Sequence, residues 1–183
     1  EEGQYTGEIS PRMLDEISVK LVMVGHSERR HVFRETDEEE NKKVLCGLKH
    51  GFTMLLCIGE TENEKEFGIS NEVLRSQLIK GLHCVRKEEV KKIWIAYEPV
   101  WAIGTGKAAT AQDAETVSAF IRKTIEAFSS GGVAERIRIL YGGSVTGENI
   151  SSFLREKDVD GALIGGASLK AEELLSIYKK ACE

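Results

Sequence analysis

Arg138-Ile139-Leu140-Tyr141-Gly142-Gly143-Ser144-Val145 and, downstream, Ala162-Leu163-Ile164-Gly165-Gly166-Ala167-Ser168 are the two stretches whose reading decides the fold. Each is a short apolar run that stops at paired glycines and gives way to an amphipathic segment, at Glu148 to Arg155 and at Lys170 to Cys182. A strand that feeds a helix is the unit of a parallel sheet, because parallel neighbours need a crossover connection. Paired glycines at two strand ends let backbone N–H groups converge on an anion without side-chain obstruction, and the helix N-termini that follow add a favourable field. The alternative is that the glycines serve only tight turns, which one pair would satisfy more readily than two.

The same alternation runs back through the chain. Val19 to Val24, Thr53 to Ile58 and Ile93 to Tyr97 read as three earlier strands, and Ala162 to Ile164 as the fifth. Between them the spacing predicts helices over Asp37 to His50, stopped by Gly51, from Ser70 to about Val85, and from Thr110 to the Ser129-Ser130-Gly131-Gly132 cluster. Pro11 at a first helical position predicts another over Ser10 to Ile17. With two prolines and no linker-like tract, residues 1–183 read as one α/β domain. Polar clusters follow the strands, at the edge where parallel α/β folds bind ligands. Five consecutive βα units, with helices outside and apolar inward strand faces as in a barrel, are the first expectation. An open doubly wound sheet, with helices on both faces, is the rival.

Composition narrows the function. The chain has 183 residues, 25 Lys and Arg against 30 Asp and Glu, a net charge of -5, and 41% apolar residues. No basic block exceeds two residues, so no nucleic-acid footprint is expected. No apolar run approaches the roughly 18 residues of a membrane helix, so no membrane span is expected. The four cysteines are far apart, and His26 and His31 lack metal-ligand spacing, which points to reduced thiols in a cytoplasmic enzyme without a metal. The chain opens with Glu1 and no signal-peptide pattern.

Three strand ends could carry chemistry. Gly25-His26-Ser27-Glu28-Arg29-Arg30 puts an imidazole just before a helical turn capped by Ser27, where a positive helix end would hold it neutral. A structural loop histidine is equally compatible. Ala96-Tyr97-Glu98-Pro99-Val100-Trp101 sets a carboxylate among apolar and aromatic residues, which raises its proton affinity as a general base requires. A Glu paired with an arginine is the alternative. Ala102-Ile103-Gly104-Thr105-Gly106-Lys107-Ala108 is a small-residue loop that matches neither nucleotide motif. Walker A would need Gly at 101 and Ser or Thr at 108, where Trp101 and Ala108 stand.

In order along the chain, Gly25 to Arg30, Ala96 to Lys107, Tyr141 to Val145, and Val159-Asp160-Gly161 through Gly165-Gly166-Ala167-Ser168-Leu169 resemble the motifs of the triosephosphate isomerase family. The resemblance extends over essentially the whole chain. It implies a (β/α)8 barrel and the interconversion of dihydroxyacetone phosphate and glyceraldehyde 3-phosphate through an enediol, with no cofactor. It makes Glu98 the proton-shuttling base and His26 the neutral electrophile, a pairing for which this family is itself the usual illustration. Pro99 to Ala109 matches the family's mobile lid, again the family's own example. Gly104, Ser144, Gly165 and Gly166 match its phosphate cradle, and Ser27 and Glu28 stand behind the reacting groups. Tyr5-Thr6-Gly7-Glu8 resembles part of the loop that reaches a second subunit, so the complete enzyme is expected to be a cytoplasmic homodimer acting in glycolysis and gluconeogenesis.

A complete barrel of this kind takes about 250 residues. The resemblance implies that the chain starts after the third strand and carries strands four to eight, without the family's substrate-contacting lysine and asparagine of the first strand. A truncated, inactive barrel fragment that keeps a phosphate half-site is therefore the second expectation.

Overall fold

The computed structural model describes residues 3–103, 109–129 and 132–183. Thr53–Ile58 (β2) has the sequence Thr-Met-Leu-Leu-Cys-Ile and is buried at all positions after the first, as a strand covered on both faces must be. It lies between Leu21–Val24 (β1) and Ile93–Tyr97 (β3), and Arg138–Tyr141 (β4) and Gly161–Ala162 (β5) complete the sheet. All four pairings are parallel and the order is β1-β2-β3-β4-β5. The register aligns Val24 with Leu56, Ile58 with Tyr97, and Tyr97 with Tyr141, so the polar segments after the strands open at one common edge.

The helices are Pro11–Glu16 (α1), Ser27–His31 (α2), Asp37–Lys49 (α3), Glu62–Glu66 (α4), Ser70–Gly81 (α5), Ala111–Glu126 (α6), Ile150–Leu154 (α7) and Ala171–Ala181 (α8). Alternation along each strand sends Met54, Leu56, Ile58, Ile93, Ile95, Tyr97, Ile139 and Tyr141 into one core with Val44 and Leu48 of α3, Leu74 and Leu78 of α5, Ile121 and Ile125 of α6, Phe153 of α7 and Ile177 of α8. The other face carries a separate small cluster of Leu55, Cys57 and Ala96 with Trp94, Leu140 and Leu163, all from strands or the segment just beyond β5. The helices of the main core thus cover one face, and the strand order never reverses. Both facts exclude the doubly wound alternative for the described residues. That second face is apolar, but toward β1 it is uncovered, with Leu21 42% and Met23 46% exposed.

Local chemistry sets the element ends. Thr36 with Glu39, Thr61 with Glu64 and Thr110 with Asp113 form reciprocal capping boxes that start α3, α4 and α6. Ser10 caps α1 ahead of Pro11. The helix expected to reach Val85 ends at Gly81, because Cys84 has φ 61 and cannot continue a right-handed helix. β1 starts two residues later than expected, because the Val19 N–H is taken by the Leu14 carbonyl at 3.1 Å. β5 is shorter and earlier than Ala162 to Ile164. It is an edge strand whose single partner, β4, is also short, and one further bond, Leu163 N–H to the Tyr141 carbonyl at 2.9 Å, extends it. α7 starts only at Ile150, because the Thr146 N–H is bound by the Asn149 side chain at 2.8 Å in a preceding turn.

One side chain ties the last third together. Arg122 of α6 donates to Asp158 Oδ1 at 2.6 Å, to the Ala134 and Ile137 carbonyls at 2.7 and 3.1 Å, and to Asp160 Oδ2 at 3.0 Å. Asp160 in turn accepts the Ile139 N–H at 2.8 Å, so the clamp sets where β4 and β5 run.

Candidate active site

The strand ends converge through backbone contacts. The Glu98 N–H donates to the Ile58 carbonyl at 2.8 Å and the Gly142 N–H to the Tyr97 carbonyl at 2.7 Å, bringing the segments after β2, β3 and β4 side by side. Gly59 is required by this approach, since a Cβ there would stand 1.7 Å from the Glu98 carbonyl oxygen. The Gln77 side chain of α5 holds Gly59 at both its N–H and its carbonyl, at 2.8 and 3.1 Å.

Glu98, just past β3, is 2% exposed. Its Oε1 lies 3.0 Å from His26 Nε2 and accepts the Ser27 hydroxyl at 3.1 Å, while its Oε2 accepts the Ser27 N–H at 3.0 Å. The Cys57 thiol is a further partner. Burial pushes the Glu98 carboxyl above the usual carboxylate range, and His26, the two Ser27 donors and Cys57 pull the other way without cancelling it. A carboxylate that readily takes a proton is what the sequence pattern around Glu98 leads one to expect.

His26 follows β1 at the start of α2. The cap of that helix is His26 itself and not Ser27, which corrects the sequence reading. His26 Nδ1 accepts the Glu28 N–H at 3.3 Å, and Ser27, as the first helical residue, is free to hold Glu98. A ring nitrogen that accepts from a backbone N–H carries no proton, so in this arrangement Nε2–H is the donor facing Glu98. Glu28 is exposed, with its carboxylate 4.0 Å from Nδ1.

A cavity of about 570 Å³ opens at this edge, and His26, Glu28, Glu98, Ser144, Gly165 and Gly166 all line it. Gly143 could not be replaced, since a Cβ would meet the Tyr141 hydroxyl at 2.2 Å. Gly165 and Gly166 have no atom within 4 Å of a would-be Cβ, so their backbone borders open space, and Gly166 begins a 3-10 turn to Leu169. The sequence-chosen residues from four strand ends therefore meet in one place. Gly104 lies outside the described residues, as do the other residues of 104–108 within the lid segment.

Two groups of the site were not singled out in the sequence. Cys57 touches Glu98, and burial followed by the nearby Glu98 charge holds its thiol protonated. Glu60, 2% exposed, accepts the Tyr97 hydroxyl at 3.0 Å and the Trp101 Nε1–H at 2.9 Å, and Lys65 lies 3.1 Å over the Trp101 ring. The signal for Glu60 was its place, a carboxylate directly after an all-apolar strand and a glycine. All four cysteines are free, as the sequence reading expects. No helix among the described residues is long and apolar enough to cross a membrane.

Four strand ends at one edge, a buried carboxylate against an imidazole, and glycine pairs lining the shared cavity agree with the model of one protein family, described as triosephosphate isomerase, which matches residues 1–181. The chain belongs to the triosephosphate isomerase family.

Proposed function

We propose that this chain interconverts dihydroxyacetone phosphate and glyceraldehyde 3-phosphate by moving one proton between adjacent carbons. The observation that carries the reading is the buried Glu98 carboxylate 3.0 Å from His26 Nε2 in a cavity also lined by Ser144, Gly165 and Gly166. Glu98 takes a proton from the carbon beside the substrate carbonyl, the freed electron pair forms the enediol double bond, and the carbonyl oxygen takes the Nε2 proton of His26. Glu98 then returns its proton to the former carbonyl carbon, while the hydroxyl on the carbon first deprotonated gives its proton back to His26 and becomes the new carbonyl. Backbone groups of Ser144, Gly165 and Gly166 hold the phosphate, with Gly104 as the expected fourth contributor. The proton transfer calls for neither metal nor cofactor.

The five consecutive βα units are read as part of one (β/α)8 barrel domain. Exposed Tyr5, Val32 and Phe33, at 73%, 70% and 63%, support a second copy as partner. A second reading, phosphate binding without turnover, is favoured by the uncovered Leu21 and Met23 of β1.

Glu98→Gln keeps size and polarity but cannot accept a proton. In a coupled isomerase assay it should lower kcat by at least ~10²-fold while a phosphate-bearing analogue binds as before. Parent-like turnover in the variant removes Glu98 from the mechanism. Analogue binding by a parent chain that does not turn over selects the second reading.

A further inference from the structure

Behind the His26 turn lies a charged group that the proposed proton transfer does not use. Glu40, in the first turn of α3, has a side chain with no exposed surface. It shares the buried stripe of Val44, Gly47 and Leu48, a position where an amphipathic helix ordinarily carries an apolar residue. Its carboxylate contacts Arg30 Nη2, and neither of its oxygens completes a hydrogen bond among the described residues.

Arg30 is the link to the site. Its Nε donates to the Gly25 carbonyl at 2.8 Å, its Nη1 to Asp37 Oδ1 at 2.6 Å, and its Nη2 to the Cys57 carbonyl at 3.0 Å. Glu40 and Arg30 fill the space against Gly25 completely. A Cβ there would stand 2.5 Å from Glu40 Oε2, 2.8 Å from the Cys57 carbonyl oxygen and 3.0 Å from Arg30 Nη2. Gly25 precedes His26 directly, and the thiol of Cys57 lies beside Glu98 and acts on its carboxyl. The two residues that meet at 3.0 Å in the cavity are therefore both backed by one guanidinium.

We propose that Glu40 is a positioning residue, which through Arg30 sets the Gly25–His26 turn and Cys57 against Glu98, and whose charge, when it forms, weakens the hold of Arg30 on those carbonyls and slows turnover. The effect on turnover rests on the proton transfer proposed for Glu98 and His26. Burial lifts the Glu40 carboxyl to about 8, against the opposing pull of Arg30 and Lys43 and with Asp37 and Glu35 adding to it. These groups face it from α2, from α3 and from the segment before α3, and Cys57 faces it from β2. Lys80 of α5 reaches Asp37 at 3.6 Å. With Glu40 protonated, Asp37 is the carboxylate that balances Arg30. Once Glu40 ionises, two carboxylates compete for one guanidinium in a dry site, and the hold of Nη2 is divided between the Cys57 carbonyl and the anion it already touches.

The test is a pair of pH profiles for the full chain and its Glu40→Gln variant over about pH 6.5 to 9.5, with the backbone amide ¹⁵N resonances of Gly25 and His26 followed in the same samples. The parent's kcat should fall several-fold through about pH 8 with KM within about twofold, and Glu40→Gln should hold its neutral-pH kcat across that range. The Gly25 and His26 resonances should titrate there in the parent and stay flat in the variant. Superimposable rate profiles overturn the proposal. So do parent resonances that do not titrate, a result that needs neither turnover nor a folded variant. A chain with no turnover at any pH defeats the proposed function and leaves the resonances to decide Glu40.

Discussion

Three of the contacts that hold Glu98 come from two consecutive residues, His26 and Ser27, and that arrangement makes Ser27 the most informative single residue to alter. Its N–H and hydroxyl both favour the ionised carboxylate. Ser27→Ala removes the hydroxyl and keeps the N–H, so the Glu98 carboxyl should rise further above its ordinary range. The acid limb of kcat/KM is expected to move to higher pH, with the rate on the plateau little changed. A limb that stays in place, or moves down, contradicts the assignment of Glu98 as the titrating base. At this scale the sequence was informative where a polar residue interrupts an apolar run. His26 and Glu98 stood out for that reason. Cys57 did not, because a cysteine inside an apolar strand looks like any small core residue until a carboxylate from another strand is placed on it.

The elements owe their boundaries to short-range chemistry and their positions to a few long-range clamps. Arg122 of α6 is the clearest clamp, with its side chain 11% exposed and its donors spent on both sides of β4. Arg122→Met keeps much of the stem and leaves the Asp158 and Asp160 carboxylates and three carbonyls without this donor. Removing one partner of such a buried pair should cost about 3 kcal/mol, read as a lower urea midpoint with an unchanged slope. A midpoint within error of the parent's would mean that β4 and β5 are set by packing alone, through contacts such as the 4.1 Å stack of Tyr141 on Phe153. Pro11 told where α1 begins, and the Thr110-Ala111-Gln112-Asp113 pattern where α6 begins. The premature end of α5 was hidden, because Cys84 has no intrinsic preference for a left-handed backbone and only the path of the chain puts it there.

Across the molecule, buried charge makes stability depend on pH in both directions. The Glu40 carboxyl sits at about 8 when folded, well above its ordinary value of 4.5. A raised carboxyl favours the folded state while it is protonated in both states. That contribution is full below about pH 4.5 and is lost as pH climbs to about 8, an effect on the order of 5 kcal/mol. Glu35 runs the other way. Burial raises its carboxyl, but Arg29 and Lys43 overcome this and hold it low, so its contribution disappears as pH falls through the acid range. Urea unfolding at about pH 6 and about pH 9 should show the parent losing stability at the higher pH and Glu40→Gln losing much less. Equal losses in both would place the alkaline weakness elsewhere.

The sequence alone determined the class of the molecule. Alternating apolar runs and amphipathic segments specify parallel βα units, because each period of two or 3.6 fits one backbone geometry. Polar residues immediately after the strands named the edge where the site lies, and the motif set named the family. Only the tertiary structure decided that the helices of the main core cover one face. It also decided that His26, and not Ser27, caps α2, and that Glu40 is sealed against Gly25 with Arg30 as its partner. These outcomes turn on distances between segments far apart in the chain, and on whether a charge finds water or a counter-charge, which no local pattern records.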